Sequence, residues 1–167
     1  MRGGGVPVRG KEARLLITLL VVLLLLLGTV QADSPAPYMV KDIDSGGVGS
    51  DPASLVSAGG GLFFVANDGA GGHGDELWRS TGSEAGTILV KDINTADSSS
   101  PYDLTAVGSR VFFRADDGTY GRELWVSDGS ETGTKKVKDI NPGAGGSYPD
   151  GLTNVGGHAF FHADDGA

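Results

Sequence analysis

Beyond residue 32 no segment shows a helical period; the apolar positions come in short alternating or β-branched runs. The clearest stretch is Leu104-Thr105-Ala106-Val107, which alternates and stops at Gly108. Val111 to Ala115 follows, rich in β-branched and aromatic residues that favour strands. Asp117-Gly118 is a hairpin-turn signal, because a primed turn needs residues that tolerate positive φ. Glu123 to Ser127 reads as a third strand, Asp128 to Gly133 as a polar loop and Thr134 to Ile140 as a fourth strand. Asn141-Pro142-Gly143 ends it, since proline cannot donate to a ladder and glycine favours turning.

The same order of elements recurs. The string V-K-D-I occurs at Val40–Ile43, Val90–Ile93 and Val137–Ile140, in steps of 50 and 47 residues. F-F-x-A-x-D-G occurs at Phe63–Gly69, Phe112–Gly118 and Phe160–Gly166. E-L-W-x-S-x-G-S-E-x-G-T occurs at Glu76–Thr87 and Glu123–Thr134. Four antiparallel strands in about 40–50 residues is the signature of a propeller blade. The fold expected is therefore all-β, built from four-stranded antiparallel repeat units and β-propeller-like. The units fall at 38–50 (partial), 51–99, 100–147 and 148–167 (partial), about two and a half blades. Tyr38–Ile43 reads as a lone fourth strand. A closed propeller needs about 4–8 blades, so the chain reads as a fragment of a longer one. Assembly of several short chains into one ring is the alternative.

Trp78, Trp125 and the pairs Phe63-Phe64, Phe112-Phe113 and Phe160-Phe161 recur at fixed repeat positions. They could form a sugar-stacking platform, but aromatics that define a repeat are expected in the core between blades. Glu76 and Lys91 lie 15 residues apart, as do Glu123 and Lys138. Folding strand three onto strand four would set each pair opposite, as a cross-strand ion pair worth about 0.2–1 kcal/mol.

The run E-L-W-V-S-D-G-S-E-T-G-T, with V-K-D-I-N-P-G and F-F-x-A-D-D-G, resembles the ELWxxDGT repeats of exported bacterial proteins, sometimes called hyalin-like. The resemblance covers nearly all of residues 38–167. It implies a secreted or surface-associated propeller-like protein and no catalytic residues. Thr81 departs from the pattern where Asp128 keeps it, and Ser83 and Ser130 stand where the motif name ends in threonine.

The leader changes the charge. Arg2, Arg9, Lys11 and Arg14 precede an apolar run, Leu15 to Leu27, and Val30-Gln31-Ala32 fits a small-x-small cleavage pattern. Residues 1–32 thus read as a secretory signal peptide, with an uncleaved anchor as the rival. Of 13 basic and 21 acidic residues the leader holds four and one, leaving 9 and 20 and a net charge of −11. Such a surface repels phosphate backbones and anionic lipid. Nucleic acid and, after cleavage, membrane are therefore excluded as partners. There is no cysteine, so the fold holds by packing alone.

Catalytic chemistry finds few candidates. His73, His158 and His162 occupy no common repeat position. His73 sits in a glycine-rich insertion, Gly69 to Gly74, and all three read as surface residues. Asp116-Asp117 and Asp164-Asp165 sit at turns, where aspartate is favoured for backbone reasons. Asp-Gly turns can supply oxygen ligands to calcium, but no recognised calcium loop is present. Gly143–Gly146 lacks the lysine of a phosphate loop and reads as a linker. No catalytic, cofactor-binding or metal residue is assigned. The function expected is a non-enzymatic binding or structural module, secreted, periplasmic or at the cell surface. Its partner would be a polysaccharide or surface protein, and open strand edges would favour self-association. The alternative is part of a propeller-type hydrolase or lyase whose active residues lie outside this chain.

Overall fold

The computed structural model describes residues 36–167, so the leader expected over 1–32 lies outside the described residues. The chain divides into two units, Met1–Tyr38 and Met39–Ala167, and every described strand belongs to the second. Among the described residues there is no helix, and none that would cross a membrane.

Among the described residues, ten strands form three antiparallel sheets. The first holds β1 (Ala53–Ala58), β2 (Gly61–Asn67), β3 (Asp75–Ser80) and β4 (Ile88–Lys91) in sequence order. The second repeats that order with β5 (Tyr102–Val107), β6 (Arg110–Asp116), β7 (Arg122–Ser127) and β8 (Lys135–Lys138). The third contains β9 (Asp150–Val155) and β10 (His158–His162). None closes into a barrel. The first strands of successive sheets, β1, β5 and β9, lie side by side.

Each sheet has two faces, fixed by the alternation of side chains along a strand. Phe64 stands opposite Trp78 and Phe63 opposite Arg79. Leu62, Phe64, Ala66 and Trp78 therefore share a leading face, and Phe63, Val65, Leu77 and Arg79 a trailing face. The second sheet follows suit, with Val111, Phe113, Ala115 and Trp125 on its leading face. The core is the contact between unlike faces. Phe63 and Leu77 of the first sheet bury against Val111, Phe113, Ala115 and Trp125 of the second. The repeat thus encodes a heterologous interface, used between successive units.

Three side-chain latches join the units. Ile93, just past β4, packs into that interface, and Ile43 packs in the same way on Phe64, Ala66 and Trp78. Lys91 Nζ donates to the carbonyl of Thr134 at 3.2 Å, and Lys41 Nζ to that of Thr87 at 2.9 Å. The residue after each V-K-D-I presses on the next unit's turn glycine. Asp44 meets Gly69, Asn94 meets Gly118 and Asn141 meets Gly166, each so close that a Cβ would collide. These glycines also have positive φ, so space and backbone both require glycine.

Four expectations are corrected. Tyr38–Ile43 forms no strand: among the described residues no third strand precedes it to pair with, and it lies along the first sheet through Lys41 and Ile43. The fourth strands stop at Lys91 and Lys138, so Asp-Ile belongs to the linker. Asp117-Gly118 begins a five-residue loop, not a two-residue turn, because β6 and β7 part at Asp116 and Arg122. Phe160 and Phe161 are exposed, unlike Phe63 and Phe113, because the third sheet has only two strands to cover them.

The proposed Glu76–Lys91 and Glu123–Lys138 ion pairs do not form. Irregularities in register set Leu77 against Lys91 and Leu124 against Lys138, so lysine and glutamate point to opposite faces.

A repeated kink shapes the first strand of every sheet. Ser54, Asp103 and Gly151 occupy equivalent positions with φ of 54, 57 and 67°. Left-handed backbone costs a non-glycine residue about 1–2 kcal/mol. Ser54→Gly should therefore raise the unfolding free energy, read from urea titration, by a few tenths of a kcal/mol or more, after the freer unfolded chain is counted. Asp103→Gly should do the reverse, because the Asp103 carboxylate accepts the Leu152 amide at 2.6 Å. Two variants of the same sign would contradict this account.

Candidate functional site

A cleft of about 750 Å³ opens where three loop segments converge: 44–51, the β2–β3 loop and the linker 92–98. Five aspartates, one histidine and five glycines line it, with no lysine or arginine. Its floor is rigid. Asp44, buried, accepts the amides of Gly46 and Gly49 at 2.8 and 3.0 Å. Asn67 accepts the Gly69 amide and donates to Asp75 at 2.9 Å. Ser98 Oγ accepts the Asp75 amide at 2.9 Å. One carboxylate oxygen of Asp92 is buried without a hydrogen-bond partner.

Below the cleft sits the glutamate of E-L-W. Glu76 is wholly buried. Its carboxylate accepts the Ser99 amide at 2.8 Å, the Ser99 hydroxyl at 2.6 Å and the Ile93 amide at 3.3 Å. Burial pushes Glu76 up to about 7, against the pull of those donors. Glu123 repeats two of these contacts, with the Ser147 hydroxyl at 2.6 Å and the Ile140 amide at 3.2 Å, while its other carboxylate oxygen is buried without a hydrogen-bond partner. The repeated glutamates therefore clamp the linker that enters the next unit. They are structural.

The rim belongs to the first unit alone. Its β2–β3 loop holds seven residues against five in the second unit, and the extra length carries His73. His73 Nδ1 lies 2.6 Å from Asp68, which also accepts the His73 amide at 2.6 Å. The side-chain hydrogen bond with Asp68 raises the His73 pKa. Burial opposes ionisation of Asp68, but the hydrogen bonds from His73 together hold it below its ordinary value. The contact thus stabilises the loop below the ordinary histidine pKa of 6.5 and weakens as pH rises through the raised value. His73→Asn should remove that dependence, seen as faster amide exchange across 68–74 at pH 6 but little change at pH 9. An equal effect at both pH values would contradict the pairing.

At the second junction the chemistry differs. Arg122 replaces Asp75, and Lys136 lies 3.7 Å from Asp117 with its ammonium on the Tyr120 ring. The position before the E-L-W string thus carries opposite charge in the two units.

Of the residues considered from sequence, His73 reaches the cleft, whereas His158 and His162 lie on β10. The aspartates at turns accept local amides, as at Asp116 with Gly118 and Asp164 with Gly166. Sequence reasoning missed Asp44, Asp92 and Asp97, because Asp44 comes from one linker and Asp92 and Asp97 from another about 50 residues on. Among the described residues, no three acidic, histidine or cysteine side chains are placed to hold a metal ion. His73 hydrogen-bonds only to Asp68 among them, so the pair is a base with an orienting acid and no bonded nucleophile.

Compared with known proteins, the chain matches no family model, no curated protein and no solved structure.

Proposed function

We propose that this is an exported, non-catalytic binding module of the cell exterior, related to the ELWxxDGT repeats, whose ligand site is the acidic cleft of the first unit. One observation carries the reading: the cleft is lined by the β2–β3 loop that is two residues longer than its counterpart, with Asp75 where the second unit has Arg122. Loops set on a rigid scaffold carry recognition. Carboxylates accept hydrogen bonds from hydroxyl groups, and glycine rims let a ligand approach the backbone. The absence of any cation in the lining disfavours anionic ligands. A neutral or cationic polysaccharide fits best.

The test is affinity electrophoresis of the full chain in gels containing hydroxyethyl cellulose, chitosan or polygalacturonate. Retardation is expected in a neutral or cationic gel and not in polygalacturonate. Asp92→Asn with Asp97→Asn should weaken it about 10- to 100-fold, the worth of charge-assisted hydrogen bonds. Retention untouched by this pair would place the ligand elsewhere, and no retention by any polysaccharide would overturn the reading.

A further inference from the structure

The first strand of each unit is entered through three positions: Ser50-Asp51-Pro52, Ser99-Ser100-Pro101 and Ser147-Tyr148-Pro149. The middle residue has φ of 44, 48 and 46° in turn. Left-handed backbone favours glycine, and a bulky side chain there is an outlier. The chain nevertheless holds a side chain at all three places, a different one each time, between an unvarying serine and proline. Packing does not explain them, because all three are exposed, Tyr148 at 52%. The exposure belongs to the position, since Asp51 and Ser100 are exposed although a further sheet follows each.

These residues form a row. The turns after β1 and β5 meet, since a Cβ on Gly59 would lie 2.9 Å from the Ser109 carbonyl oxygen. Thr105 Oγ1 donates to the Leu152 carbonyl at 3.1 Å and the Asn154 amide group to the Ala106 carbonyl at 2.9 Å. The first strands therefore run the same way with their entry ends together, and the row spans two sheet-to-sheet steps, about 20 Å. One end is Asp51, which lines the acidic cleft. At the other end Tyr148 has a neighbour. Tyr102, 53% exposed, lies under the Arg114 guanidinium, 4.6 Å from the ring centre, and Arg114 Nη1 donates to the Pro149 carbonyl at 3.3 Å. Arg114 thus links the Tyr102 ring to the residue beside Tyr148. Tyrosine offers an apolar ring to the C–H face of a sugar and a hydroxyl to its oxygens. We propose that the polysaccharide bound in the cleft continues along this row and stacks on Tyr148 and Tyr102. The proposal rests on the polysaccharide reading of the cleft and adds that the ligand is a chain long enough to span both ends, not a mono- or disaccharide.

Affinity electrophoresis of the full chain in hydroxyethyl cellulose or chitosan gels tests this. Tyr148→Ser and Tyr102→Ala install the residues that the chain itself carries at Ser100 and Ala53, so the fold already accommodates both. Unfolding in urea checks that each variant is folded. Each should weaken retardation about two- to tenfold, the worth of an aromatic contact, and Tyr148→Phe, which keeps the ring, should match wild type. Retardation that Asp92→Asn with Asp97→Asn weakens, but neither tyrosine variant does, confines the ligand to the cleft: the proposal falls and the cleft reading stands. Equal losses with serine and phenylalanine at position 148 also overturn it, because the effect then belongs to the hydroxyl and not to stacking. No retardation of wild type in either gel removes the cleft reading, and the proposal with it.

Discussion

Replacing Phe113 by alanine is expected to lower the unfolding free energy by about 3–5 kcal/mol. Phe113 is wholly buried on the leading face of the second sheet, in one cluster with Phe63, Leu77 and Trp125. Truncation removes apolar area and leaves a cavity that two rigid sheets cannot close. A domain of this size has about 5–15 kcal/mol in all, so much of the stability goes with one ring. Phe160, which occupies the equivalent position to Phe112 in the same F-F string, supplies the contrast. It is exposed, so Phe160→Ala should stay within about 0.5 kcal/mol of wild type in dilute solution. Urea unfolding of both variants checks the difference. Similar losses would mean that the third unit is as well packed as the second.

Removing the Glu76 carboxylate is the second large effect. Glu76→Ala leaves the amides of Ser99 and Ile93 and the Ser99 hydroxyl without their buried acceptor. At about 1–3 kcal/mol for each orphaned group, the loss is roughly 3 kcal/mol or more. Glu76→Gln separates charge from shape. In the folded chain burial holds Glu76 at about 7 against an ordinary 4.5. Below 4.5 the carboxyl is protonated in both states. Between 4.5 and about 7 the unfolded chain ionises while the folded chain keeps its proton, so stability falls as pH rises. The full loss is roughly 3 kcal/mol. The glutamine variant has no such proton, so its stability should change less between pH 4 and pH 8 than that of wild type. A wild-type profile that rises across this window relative to the glutamine variant would contradict the buried acid.

The strands were legible because alternation and the three recurring strings mark them directly, and β6 and β7 fall within a residue of their expected bounds. What separation along the chain could not supply was register. A count of 15 residues set Glu76 against Lys91, but one irregularity between Leu77 and Trp78 turns the two to opposite faces. That shift frees the glutamate to hold Ser99 and the lysine to reach the Thr134 carbonyl. Burial of the aromatics followed from repetition for Phe63 and Trp125, but not for Phe160, because depth depends on how many strands flank a residue. The cleft was hidden for a third reason. Its aspartates lie far apart in sequence, and only the folded chain brings Asp44, Asp75 and Asp97 to one opening.

The central claim is that successive sheets are joined through unlike faces into one cooperative body. Hydrogen exchange of the native chain across a urea series measures it most directly, by comparing β2 and β3 with β6 and β7. The shared core of Phe63, Leu77, Phe113 and Trp125 predicts that the slowest amides of both sheets converge on a single opening free energy. If β6 and β7 kept their protection at urea concentrations that open β2 and β3, the sheets would be independent and the account wrong.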